Sequence, residues 1–305
     1  MAKSGTAATS EALGAHENLA RKHGNGPTMK HPHLGSLLSC LITPGLLMLA
    51  ASAAQANADA EALRKAQDPL ADVKALMTDN TIAYGTANDQ KSYGISLQPV
   101  YSIETERSFN FVLRGILPYI GAPKGAGLPI LGPDPVGGTG RTWGLSDSVV
   151  QGFFVPKTES EIKFGFGPQI SLRTRSDDVL AGPGWGGGVA GIVFGSAGKI
   201  AYGGILGHHW GQDDFNLTTI RPILIYNADA FGGSYIGYIN SVNYDWSAPN
   251  SSSAWQTPLG LTVGKTFILK SGHMIDFNLG GYKVVDAPTG GADKQLKIGF
   301  SFYWP

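Results

Sequence analysis

The chain has 305 residues with 23 Lys and Arg against 23 Asp and Glu, and no stretch concentrates the basic residues, which excludes a nucleic-acid surface. Its 43 glycines follow no Gly-X-Y period, so they belong to turns and tightly curved strands, not to a collagen-like fibre or a low-complexity tail. The single cysteine, Cys40, falls in a segment expected to be removed, leaving a mature chain without thiols, as suits an oxidising compartment.

Residues 34–54 form the only long uncharged apolar run, preceded by Lys30 and followed by small residues, the grammar of a secretory signal peptide. Pro44-Gly45 interrupts the run, which argues against a spanning anchor, since that needs about 20 apolar residues. Ala56-Asn57-Ala58 places small side chains at the positions a signal peptidase reads, so cleavage is expected after Ala58, with Ala56 as second choice. The polar residues before Met29 match no targeting signal, and the true start is expected at Met29 within a leader spanning 1–58. Leu37-Leu38-Ser39-Cys40 loosely resembles a lipoprotein box, but the apolar region continues past Cys40 where such a box should end. Removing 1–58 leaves 19 basic and 21 acidic residues, a net charge of −2.

Residues 59–72 are read as a periplasmic N-terminal segment. Ala60-Glu61-Ala62-Leu63-Arg64-Lys65-Ala66 is helix-forming, and fraying in the periplasm is favoured over a plug in a lumen.

From residue 73 the chain changes character. Ile162, Phe164, Phe166, Pro168, Ile170 and Leu172 alternate with Lys163, Gly165, Gly167, Gln169, Ser171 and Arg173, a period of two that marks a strand with one apolar face. The same alternation runs through 109–119, 275–279 and 296–304, and weaker strand signals cover 73–83, 93–105, 145–156, 187–196, 199–211, 215–227, 233–246 and 255–269. Segments of about ten residues match a tilted transmembrane strand, and an even count returns both ends of the sheet to one side. The expectation is therefore all-β, an antiparallel up-and-down transmembrane barrel of about 12 strands over 73–305, located in the cell outer membrane.

Aromatic residues cluster near the predicted strand ends. Tyr119, Trp143, Trp185, Trp210, Trp246, Trp255 and Trp304 are candidates for the membrane–water interface, where amphipathic rings settle. The last strand closes on Tyr303-Trp304-Pro305, close to the aromatic ending that the barrel assembly machinery reads, although a final Phe is commoner. Outer-membrane lipid and that machinery are the expected partners, with a small-molecule solute.

Several short pieces then carry a family resemblance: Leu97-Gln98-Pro99-Val100, Leu113-Arg114-Gly115-Ile116-Leu117-Pro118, Gly144-Leu145-Ser146-Asp147, Gly165-Phe166-Gly167-Pro168, Arg221-Pro222 with Tyr226-Asn227, Trp255-Gln256-Thr257-Pro258-Leu259-Gly260 and Val263-Gly264-Lys265. In order and spacing the chain resembles the outer-membrane transporters labelled neuromedin-U-like, or grouped as the MetA-pathway of phenol degradation family. It departs at Arg221, where Gln is expected, at Ser146, where Gly is expected, and in ending Tyr-Trp-Pro where relatives tend toward Leu-Phe-Pro. The resemblance implies a passive channel for small aromatic or hydrophobic solutes and transfers no functional residues.

Catalytic and cofactor patterns fail on inspection. Gly260 to Thr266 imitates a phosphate loop but has three residues between its glycines where four are needed. His208 and His209 are adjacent in a strand and point to opposite faces, so they cannot chelate one metal. Gly144-Leu145-Ser146-Asp147-Ser148 misses the nucleophile elbow at its last position. Asp177-Asp178 and Asp213-Asp214 read as solvated turns. No catalytic residue, metal site or cofactor is therefore expected. A lipid-acting barrel enzyme and a non-conducting structural barrel remain as alternatives; the first predicts Ser and His converging at one rim on the outer face, the second a lumen packed solid.

If the apolar face meets lipid, Arg114, Lys163, Gln169, Arg173 and Arg221 share the opposite parity and are the lumen-lining candidates. A lipid-facing charge costs roughly 2–4 kcal/mol near the midplane, which supports the assignment. Cations dominate, favouring anionic or polarisable aromatic solutes, while Val112, Ile116, Ile223 and Ile225 on the same parity make the interior mixed.

Overall fold

The computed structural model describes residues 59, 61–86, 89–123, 140–180, 182–228, 232–288 and 290–304. The expected leader 1–58 and its start at Met29 lie outside the described residues.

The strands are β1 (Lys74–Thr86), β2 (Gln90–Ile103), β3 (Phe109–Pro123), β4 in two pieces (Arg141–Leu145 and Ser148–Pro156), β5 (Ile162–Leu172), β6 (Gly186–Ala197), β7 (Ile200–Trp210), β8 (Asn216–Ala228), β9 in two pieces (Ser234–Ile239 and Val242–Asp245), β10 (Trp255–Ile268), β11 (Met274–Asp286) and β12 (Lys294–Trp304). Each pairs antiparallel with its chain neighbours, and β12 returns to β1, with Lys74 opposite Trp304 and Tyr84 opposite Lys294. The sheet is thus a closed barrel of twelve strands, as the alternation predicts, with no exposed edge to template aggregation. Among the described residues no helix is long and apolar enough to cross a membrane.

The two faces divide as the parity requires. Leu113, Phe166, Val193, Leu224, Leu261 and Phe277, from six strands, all stand exposed on the outside. An apolar surface of that extent is untenable in water and is the natural outside of a barrel in lipid. Inside, glycine lets neighbouring strands approach closely. A Cβ on Gly167 would lie 1.8 Å from the carbonyl oxygen of Gly152 on β4. No other residue fits there.

Both ends of the sheet, at residues 74 and 304, share one rim, here the near end. Turns there are short: 104–108, 157–161, 198–199 and 269–273. At the far end lie the longer connections 173–185 and 246–254. Short turns on the terminal side and longer loops opposite are the usual asymmetry of outer-membrane barrels.

The two interruptions have identifiable causes. In β4, Asp147 turns inward; its carboxylate accepts from the backbone N–H of Gly182 (3.0 Å) and Gly184 (2.7 Å) and pairs with Arg175 at 2.8 Å, all buried. The loop 173–185 is thereby strapped to the wall, and Leu180 is fully buried against Ile120 and Ala122. In β9, pairing with β8 keeps one register across the break, with Ile239 opposite Ile223 and Val242 opposite Ile220. Pairing with β10 lapses between Gly237–Thr262 and Asn243–Gln256, beside Pro258, which has no N–H to offer. Tyrosine hydroxyls stand in: Tyr238 donates to the Pro258 carbonyl at 2.8 Å, and Tyr282 accepts from the Ile239 N–H at 3.1 Å.

One expectation is corrected. The N-terminal segment does not fray: residues 61–67 are helical, and the chain that follows packs into the near end of the barrel. Leu70 is buried among Val112, Phe153, Val155, Ala190 and Ile192, while Ala71 and Val73 pack with Met274 and Tyr303. Asp68 is buried and paired with Lys163 at 2.7 Å, and Gln67 and Asn227 exchange two amide hydrogen bonds. Apolar burial plus these polar ties outweigh the entropy that fraying would release.

Candidate functional site

Two cavities occupy the lumen, of about 1270 Å³ on the near side and 1630 Å³ on the far side, mouths included. Both are lined by Asp79 (β1), Gln98 (β2), Arg114 (β3), Ile205 (β7), Arg221 (β8) and Lys297 (β12), so these six residues form the waist where the cavities meet. Five of the six carry polar heads, delivered from strands on opposite sides of the barrel by the inward parity alone.

Asp79 is the hub of the waist. Its carboxylate accepts Lys297 at 2.7 Å and Arg221 at 3.3 Å. Arg114 is held differently, by neutral amides: one guanidinium nitrogen donates to Gln98 and another to Gln151 at 3.5 Å. Gln151 donates to Gln169 at 2.8 Å, and Gln169 to the His208 carbonyl at 3.0 Å, so a chain of buried amides fixes the Arg114 head. Among the described residues Arg114 makes no ion pair, and it feels the already shared charge of Asp79 only at longer range. Three cations thus face one carboxylate at the waist.

The cavities differ in lining. The near one sets an apolar wall, with Val112, Ile192, Ile223 and Ile225, beside a polar wall built around Asp276, whose oxygens accept from Tyr235 (3.0 Å), Thr266 (2.9 Å) and Asn278 (3.1 Å). In the far cavity Ile116, Val149, Phe215 and Leu217 stand above the waist, with Asp147 already neutralised by Arg175.

Of the residues singled out in the sequence, Arg114 and Arg221 lie at the waist and Gln169 lines the far cavity. Lys163 lines neither cavity; it reaches Asp68 of the N-terminal segment. Arg173 departs from the lumen position expected of it. It lies one residue past the end of β5, where the alternation no longer governs direction, half-exposed and paired with Asp178 at 3.0 Å. Asp79, Gln98 and Lys297 were missed. Lys297 was recoverable, since it stands between the apolar Leu296 and Ile298 on the opposite parity of β12; Asp79, flanked by Thr78 and Asn80, gave no such signal.

The interface aromatics Tyr119, Trp143, Trp185, Trp210, Trp246 and Trp255 all stand toward the far end and are exposed, whereas Trp304 is alone among them at the near end. His208 and His209 point apart, as adjacent strand residues must. His208 bonds Thr218 at 2.7 Å and contacts Trp210, while His209 faces the lumen and bonds Ser171 at 2.9 Å. Ser171 is fully buried, and among the described residues no carboxylate hydrogen-bonds His209, so this pair lacks the orienting third group of a hydrolytic triad. Among the described residues no three metal-ligating side chains converge.

Closed twelve-stranded wall, apolar outside and polar interior together define a transmembrane antiparallel β-barrel with the fold of outer-membrane barrels. A solved structure titled as an outer membrane channel from Pseudomonas putida F1 superposes with a TM-score of 0.51 at 13% identity, over 76% of this chain and 94% of that one. Pseudomonas putida OprB at high pH gives a TM-score of 0.31 at 10% identity, over 76% of this chain and 93% of that one, too loose a likeness to argue from. No family model and no curated protein matches the chain.

Proposed function

We propose that the chain is a passive outer-membrane channel for small solutes, of the neuromedin-U-like or MetA-pathway of phenol degradation type its sequence resembles, with aromatic or hydrophobic molecules among its cargo. The observation that carries this reading is the pair of lumen cavities meeting at one polar waist. A structural barrel needs no such space, and a lipid-acting enzyme needs its Ser and His at an outer rim; Ser171 and His209 meet inside. Mixed lining supports apolar cargo, because a ring can slide along Val112, Ile223 and Ile225 while its polar substituents meet the opposite wall.

In this reading residues 1–58 direct export, the near end with its short turns faces the periplasm, and the barrel assembly machinery inserts the chain into outer-membrane lipid. Transport runs down the solute gradient. The test is planar-bilayer recording of the mature protein refolded into lipid, together with solute flux into liposomes. Discrete current steps and flux are expected; their absence from both would sink the channel reading.

A further inference from the structure

The waist carries more positive charge than its own side chains neutralise, and the surplus lies at the floor of the far cavity. Asp79 serves both Lys297 and Arg221, so its single charge is shared. Arg114 is oriented by Gln98 and Gln151, which satisfy donors without cancelling charge. An uncompensated guanidinium away from bulk water is costly, and a mobile anion is what lowers that cost. Guanidinium geometry suits a carboxylate, which takes two parallel hydrogen bonds.

The surroundings decide on which side of the waist such an anion rests. On the near side the polar wall is built around the Asp276 carboxyl, an acceptor with no cation beside it among the described residues, which offers an anion no counter-charge. On the far side the carboxylate nearest the loops, Asp147, is already paired. Directly above Arg114 and its partner Gln151 stand Ile116 and Val149, and further up the far cavity Leu217 and Phe215 line the same lumen among polar residues such as Thr219, so apolar surface is at hand for the remainder of the molecule. We infer that the far face of the waist is a binding site for small organic monoanions that join one carboxylate to an apolar or aromatic body, with Arg114 as the principal anchor and Arg221 and Lys297 sharing the charge. Electrostatic focusing in a narrow lumen with low-dielectric walls then draws such solutes down from the far mouth. This inference rests on the channel reading for its role in transport, but not for its binding.

The experiment uses the refolded mature barrel in detergent and three probes that separate head from body: sodium benzoate, benzyl alcohol and sodium acetate. Calorimetric titration is expected to find benzoate bound at least tenfold more tightly than either of the others. Arg114→Gln, which keeps a donor within the amide chain, is expected to weaken benzoate about tenfold and leave benzyl alcohol unchanged. Equal affinity for benzoate and benzyl alcohol overturns the proposal. Should Arg114→Gln fail to refold, the wild-type channel in a potassium chloride gradient decides, since the surplus charge requires a reversal potential of anion-selective sign, and a cation-selective sign overturns the proposal. Benzoate binding without any conductance removes the channel reading and leaves the site standing; conductance without benzoate preference does the reverse.

Discussion

At the near end the chain's own N-terminal segment packs into the lumen beside the near cavity, and its anchors are many and mostly apolar, with Leu70 buried against β3, β4 and β6 and Ala71 and Val73 against β11 and β12. At the far end the loop 173–185 has one apolar anchor, Leu180, and is otherwise tied by polar contacts, chief among them Asp147, which holds Arg175 and two backbone N–H groups at once. The contrast teaches how each end fails. Dispersed apolar contacts can be lost one at a time, each leaving a graded deficit, whereas a buried ionic hub is lost as a unit and strands its partners.

The largest expected effect comes from breaking that hub. Asp147→Ala leaves the buried Arg175 without a counter-charge and should destabilise the barrel by about 3–5 kcal/mol. Hydrogen exchange should rise across 173–185 while 61–73 stays protected, and equal exchange at both ends would contradict the contrast. Next, Leu70→Ala removes one buried side chain at the near end and should cost about 2–3 kcal/mol, because its neighbours Val112, Phe153 and Ile192 border the near cavity and can partly close in. Its signature in urea is a lower midpoint with far-end protection retained.

The smallest effect is one of pH. In the turn after β2, Glu104 lies beside Asp72 of the N-terminal segment, and the shared hydrogen bond and mutual repulsion raise its pKa above the usual carboxylate range. A raised carboxyl stabilises in its protonated form, so this contact is fully present below the ordinary glutamate range and fades as pH rises through the elevated value. Exchange at residues 70–73, taken relative to the intrinsic amide rate at each pH, should therefore increase slightly from acid toward neutrality. Glu104→Gln should abolish that increase, and an unchanged pH profile in the variant would remove Glu104 from the explanation.

Much of the wall was legible because each strand separates two solvents, lipid outside and a polar lumen inside, and so writes a period of two into the sequence. β5 is the clearest case, from Ile162 to Leu172. Strand ends were less legible: β3 runs on to Pro123 and β11 to Asp286, past the alternation, because backbone pairing continues where the lipid no longer dictates the side chains. The break in β4 could not be read, since the donors that draw Asp147 inward lie 28 to 37 residues further along the chain. The packing of 61–73 was hidden for the same reason. Leu70 looks like any leucine in a turn after Asp68-Pro69 until strands β3 to β6 curve around it. The waist was half visible: parity supplied Arg114 and Arg221, but their relation to Asp79 requires β1, β8 and β12 to be brought face to face across the lumen.

Closure by β12 against β1 has a consequence for how the molecule comes into being. The hydrogen bonds that join Lys74 to Trp304 and Tyr84 to Lys294 span more than two hundred residues, so the ring is sealed only when the most distant parts of the chain meet. Every partial ring before that moment carries two open strand edges and an apolar belt, and is prone to stick to its own kind. The chain must therefore be shielded while it travels and released only where lipid awaits, which ties the last strand to the timing of folding as much as to the finished wall.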